Sequence, residues 1–206
     1  MEKGLFITFE GADGCGKTTQ LKLLAEYLTN KGYKVIMTRE PGAKGLGEKV
    51  REILLNYDGE VSDRCESFLF LADRAQHIDM IINPAIAKGK IVLCDRHTDS
   101  SVAYQGYGRG LSIERINMLN NLAVNGRYPN MTLVFDIDVE TSMERVGDEK
   151  DRMESAGMEF FNRVRNGYLE IAKQEPERVK VLDARKSIED VHRDVIGLIE
   201  AILQHQ

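Results

Sequence analysis

Tryptophan is absent from the 206 residues, proline occurs 4 times and cysteine 3 times. Cys15, Cys65 and Cys94 are far apart, offer no metal-ligand spacing and cannot all pair, so they read as reduced thiols in a reducing compartment. No apolar run approaches the length that spans a bilayer, and Met1-Glu2-Lys3-Gly4 is not followed by the hydrophobic region of a signal peptide. Basic charge is scarce too: 28 Lys and Arg against 33 Asp and Glu give a net charge of −5, which leaves no basic surface for general nucleic-acid binding. Repeats and low-complexity linkers are also missing. The expectation is one cytoplasmic α/β domain, residues 1–206, that acts on small anions rather than on nucleic acid or a membrane.

Against these absences stands one dense motif. Gly11-Ala12-Asp13-Gly14-Cys15-Gly16-Lys17-Thr18 fits G-x-x-x-x-G-K-[ST] and follows the apolar run Leu5-Phe6-Ile7-Thr8-Phe9. A buried strand ending at Glu10 and a helix starting near Gly16 set successive backbone N–H groups around phosphate oxygens, with the helix dipole behind them. Lys17 then reaches the outer phosphates and Thr18 supplies a hydroxyl for Mg²⁺. The chain is expected to bind a nucleoside triphosphate.

The rest of the pattern alternates. Leu21, Leu23, Leu24, Ala25 and Leu28 form a helical stripe closed by Asn30-Lys31-Gly32, and Tyr33 to Thr38 is a strand. Helices are expected from about Leu46 to Leu55 and from Ser62 towards Ile82, interrupted at Asn83-Pro84. Lys90 to Cys94 and Met131 to Phe135 are further strands, and a helix runs from an N-cap at Ser112 to about Val124. A short helix to Arg145, a helix from Met158 to Ala172, a strand from Val179 to Leu182 and a helix from Ser187 to Leu203 complete the order. This predicts a three-layer α/β sandwich on a five-stranded parallel sheet, with ligands outside the carboxyl ends of the strands.

That edge collects the phosphate loop, Arg39-Glu40 and Asp95-Arg96. Two arginines beyond those one triphosphate needs suggest a second phosphate, held in line with the first; the alternative is pairing with Glu40 and Asp95. The charged stretch from about 146 to 155 suits a lid that excludes water or a solvated loop, with Arg145, Lys150 and Arg152 as its cations. Phe70 and Arg74 share a helix face; spacing alone favours Phe70 in the core and Arg74 in a surface ion pair over a base-binding pair. A guanine-reading N-K-x-D stretch after a later strand, which a GTPase switch requires, is not found.

Phe9 to Gln20, Thr38 to Gly42, Asp95-Arg96-His97 and Ser101 to Gly108, with Phe161 to Tyr168 and Asp183-Ala184-Arg185, closely resemble the bacterial thymidylate kinases. The resemblance implies a sheet order of 2-3-1-4-5, transfer of the γ-phosphate of ATP to dTMP with Mg²⁺, and a homodimer formed through long helices. By position, it assigns ATP to Gly11, Ala12, Asp13, Gly14, Cys15, Gly16, Lys17, Thr18, Thr19 and Arg145, which packs on adenine. It assigns the dTMP phosphate to Arg39 and Arg96, thymine to Phe70 and Arg74, and the same pocket to Ser101, Tyr104 and Gln105, with Tyr104 excluding a ribose. Asp13 faces the acceptor's 3′-hydroxyl, and Asp95 joins Thr18 in holding Mg²⁺. Members with glycine at the position of Gly14 usually carry extra arginines in a longer lid; here the lid is short, making Arg152 the first candidate for the transition-state cation and Lys150 the second.

Overall fold

The computed structural model describes residues 4–146 and 157–204. Five strands form one parallel sheet: β1 (Leu5–Glu10), β2 (Val35–Arg39), β3 (Ile91–Asp95), β4 (Met131–Asp136) and β5 (Val179–Asp183), in the order β2-β3-β1-β4-β5. The short apolar runs with flanking turn residues therefore marked every strand, and the crossovers between them put all five in parallel. Register is fixed by which side chains face which layer, since a strand alternates faces at every residue.

On one face Leu5, Ile7 and Phe9 of β1 and Leu93 of β3 meet Leu21, Leu24 and Leu28 of α1 (Lys17–Asn30) and Val195 and Ile199 of α9 (Ile188–Gln204). Helix α1 ends where Gly32 takes a left-handed φ of 90° and Tyr33 N–H returns to Leu28 O, so the glycine stop works through its backbone freedom. On the other face Phe6, Val92 and Cys94 meet Ile78, Ile82 and Val124, while Val134 and Val179 pack with Val164 and Tyr168 of α8 (Met158–Gln174). These two layers over one sheet are the predicted sandwich.

The helix after Ser62 comes in three pieces. Ser62 caps α3 (Asp63–His77), whose last turn passes into a π-helical stretch, Ile78–Ile82, and then α4 (Asn83–Ile86). The interruption thus precedes Pro84: proline has no N–H to donate into the preceding turn, and the wider π turn takes up the change. A second π-helical run, Val102–Gly108, follows directly on the short α5 (Thr98–Ser101). Helix α2 (Leu46–Asn56), α6 (Ile113–Val124, with Ser112 capping Arg115 N–H) and α7 (Val139–Val146) fall where expected.

Candidate active site

The phosphate loop is built as its sequence demands. Gly14 has φ 76°, and a Cβ there would lie 2.5 Å from Ser142 O, so glycine lets the loop rest directly on α7. Gly16, at φ 93°, caps α1 and makes Lys17 its first residue. The Lys17 ammonium, 5% exposed, donates to Gly11 O at 3.0 Å and Ala12 O at 2.7 Å and stands 3.8 Å from the Asp13 carboxylate. Thr18 Oγ1 donates to Asp95 Oδ2 at 3.1 Å, so the hydroxyl and carboxylate expected to share a metal are adjacent across β1 and β3.

One cavity of about 500 Å³ gathers the strand-end residues. Asp13, Gly14, Gly16, Lys17, Thr18, Thr19 and Arg145 line its phosphate-loop side; Arg39, Phe70, Asp95, Arg96, Ser101, Tyr104 and Gln105 are among the residues that line the remainder. Gly11, Ala12 and Cys15 are not in its wall. The first two serve it through the carbonyls that hold Lys17, and Cys15 is buried in the core beneath the loop. Arg152 and Lys150, with the proposed lid beyond Val146 up to residue 155, lie outside the described residues.

Arg96 organises the centre. It adopts a left-handed φ of 70°, a costly conformation for a residue with a Cβ. From there Nη1 donates to Gly11 O at 3.1 Å, Nη2 donates to Asp13 Oδ1 at 2.8 Å, and the guanidinium lies 4.9 Å from the Tyr104 ring centroid. Burial works to raise the Asp13 pKa, but Arg96, then Lys17 and Arg51, bring it down to about 2. The sequence reading left Arg51 out. It lies on α2, lines the cavity and donates Nη1 to Pro41 O at 3.1 Å, yet within an amphipathic helix it has no motif to mark it.

Arg74 does not line the cavity; it lies under its floor. It is 1% exposed, so the expected surface ion pair is instead a buried one. Its Nε donates to Glu40 Oε2 at 2.8 Å, Nη1 to Ser101 Oγ at 2.8 Å and Asn120 Oδ1 at 2.7 Å, and Nη2 to His97 O at 2.8 Å. His77 Nδ1 and His97 Nδ1 each lie 2.8 Å from Glu40 Oε1. Burial opposes the Glu40 charge, but His97, Arg74 and the His77 hydrogen bond hold its pKa well below the usual carboxylate range. Two of the four bonds this guanidinium donates thus fix cavity residues, Glu40 and Ser101. Phe70, one turn away, is half-buried and reaches the cavity itself.

A second buried carboxyl lies beneath the loop. Glu10 accepts from His97 N–H at 2.7 Å, Tyr168 O–H at 2.9 Å and Ser100 O–H. Burial and Asp99 raise its pKa from 4.5 to about 7. The folded state therefore binds the proton more tightly than the unfolded chain, and this residue's contribution to stability falls as pH rises through that interval. Glu10→Gln should remove the dependence. Urea midpoints at pH 5 and pH 8 are expected to show the wild type losing roughly 2–3 kcal/mol relative to the variant; equal changes in both proteins would refute the assignment.

The thymidylate kinase family profile matches residues 9–195. The chain belongs to the thymidylate kinase family. It is 50% identical over 205 residues to a thymidylate kinase of Pelotomaculum thermopropionicum, covering 98% of this chain and 95% of that one. It is 46% identical over 202 residues to a thymidylate kinase of a Thermoanaerobacter species, with 98% and 100% covered. Among solved structures, the thymidylate kinase of Ehrlichia chaffeensis superposes with a TM-score of 0.81 at 41% identity, covering 96% of this chain and 98% of that one. As a member of the thymidylate kinase family the chain carries the expected sheet order, and the cavity at its strand ends corresponds to the edge from which a second phosphate was inferred.

Proposed function

We infer that the chain transfers the γ-phosphate of ATP to the 5′-phosphate of dTMP, giving dTDP and ADP. The observation that carries this reading is the single cavity in which the phosphate loop and Lys17 stand across from Arg39 and Arg96. Loop amides and Lys17 hold the triphosphate, and the two arginines, with Arg51 beside them, hold the acceptor phosphate and keep it in line. Phe70 stacks on thymine above a floor fixed by Arg74, and Ser101 and Gln105 complete the pocket. Asp13, ionised at neutral pH, faces the 3′-hydroxyl, and Tyr104 crowds the position a 2′-hydroxyl would need.

Thr18 and Asp95 fit a Mg²⁺ ion: one hydroxyl and one carboxylate, already adjacent, leave its other positions to phosphate and water, as that ion prefers. When bound, Mg²⁺ neutralises charge on the phosphates. Arg145 lines the adenine side, and the cation that meets the transferring group is Arg152 or, as the second candidate, Lys150, both in the proposed lid of about 146–155 and outside the described residues. The whole chain acts as one domain in the cytoplasm, with ATP and dTMP rather than nucleic acid or a membrane as its partners; among the described residues no helix is long and apolar enough to cross a bilayer.

The test is ADP formation with Mg-ATP and one acceptor at a time. Strong turnover with dTMP, weaker turnover with dUMP and none with thymidine are expected, with dTDP identified by chromatography. Preference for UMP, CMP, AMP or GMP would overturn the base assignment, and acceptor-independent hydrolysis alone would overturn the kinase reading.

A homodimer is the second part of the proposal. Helices α3 and α6 pack together and expose Phe68, Met118 and Leu122, which supports a subunit contact on these helices. Leu122→Glu is expected to shift sedimentation from dimer to monomer at micromolar concentration; an unchanged dimer would place the contact elsewhere.

A further inference from the structure

Two cavities open from the phosphate loop. The smaller, about 320 Å³, shares Gly14, Gly16, Thr19 and Arg145 with the larger and otherwise runs along the turn from Ala184 to Ile188 between β5 and α9. Arg39, Arg51 and Arg96 all line the larger cavity, which assigns that one to the phosphate acceptor. The base of the phosphate donor is left with the smaller.

Gln20 is built into the wall of this smaller cavity and is 3% exposed. Its amide orientation is fixed, because Nε2 donates to Ile188 O at 2.9 Å at the start of α9. Oε1 is consequently an acceptor, and it is buried without a hydrogen-bond partner among the described residues. A buried carbonyl oxygen left unpaired is unfavourable, and a ligand that brings an N–H to it gains the bond the protein does not make. Of the purine bases, adenine carries an amino group at position 6, whereas guanine carries an oxygen there.

We propose that Gln20 reads the donor base, its Oε1 accepting a hydrogen bond from the 6-amino group of adenine. This rests on the dTMP kinase reading above and adds a specificity-determining side chain to it. The bond to Ile188 makes Gln20 a rigid reader, and the same bond gives it a structural role that the test must separate.

Initial rates at saturating dTMP would be compared for ATP and purine riboside 5′-triphosphate, which lacks only the 6-amino group, with the wild type and Gln20→Leu. The wild type is expected to show kcat/KM about tenfold higher for ATP. In Gln20→Leu the ratio is expected to fall to about one, because both triphosphates then meet an apolar side chain. A variant that loses activity equally with both, keeping the ratio, would show Gln20 to be structural and overturn the proposal. A wild-type ratio near one would overturn it without any variant. Absence of dTMP-dependent turnover with either triphosphate would remove the kinase reading as well, whereas dTMP-dependent turnover with equal rates removes this proposal alone.

Discussion

Arg74→Met is expected to destabilise the protein by about 3–5 kcal/mol, the range for breaking a buried ion pair from one side. Methionine replaces the stem of the side chain but none of its donors. Glu40, at 2% exposure, loses its permanently charged partner, and Ser101, Asn120 and the His97 carbonyl lose theirs. Arg74→Lys should fall between, since an ammonium keeps the charge without the planar fork. The loss of position at Glu40 and Ser101, both in the cavity wall, also raises KM for dTMP in each variant. Urea unfolding with an unchanged m-value measures the first effect and acceptor titration the second. A loss below about 1 kcal/mol, the range of an exposed pair, would show that the network does not carry the fold.

The same residue shows where sequence reasoning stops. Phe70 and Arg74 are four apart on α3, so helical geometry placed them on one face, and that placement holds. Helical spacing says nothing about how deep that face lies. Depth depends on Glu40, His97 and Asn120, which come from a strand end, a loop and α6 and meet Arg74 only once the sheet and its layers exist. Arg51 was missed for the same reason: its role comes from the approach of α2 to the Pro41 loop, a tertiary event.

The phosphate loop, by contrast, was legible in full because strand, glycines and helix start are consecutive, so local geometry alone fixes Lys17 and Thr18. Strand-end arginines lie between these extremes. Their positions follow from a topological rule, which put Arg39 and Arg96 on one edge, but not their partners. The π-helical runs at 78–82 and 102–108 left no periodic signal, since each is a single inserted residue's worth of change in a short segment.

Arg96 carries the second large expectation. Arg96→Ala should lower kcat/KM for dTMP by about a thousandfold, and Arg96→Lys by about a hundredfold, the losses typical of removing a charge-stabilising donor from a preorganised site. Both variants keep a Cβ at φ 70°, so neither changes the backbone cost the native residue already bears. The difference between them measures the fork: lysine is a point charge and cannot span Gly11 O and Asp13 Oδ1 while meeting a phosphate. A second signature accompanies the rate. Arg96 is the largest influence lowering the Asp13 pKa, which stands at about 2. With it gone, burial dominates and the carboxyl takes up a proton at higher pH, so the acid limb of kcat/KM for Arg96→Ala moves upward while that of Arg96→Lys moves less. A rate loss below tenfold, or acid limbs that coincide in all three proteins, would mean that the acceptor phosphate is held elsewhere.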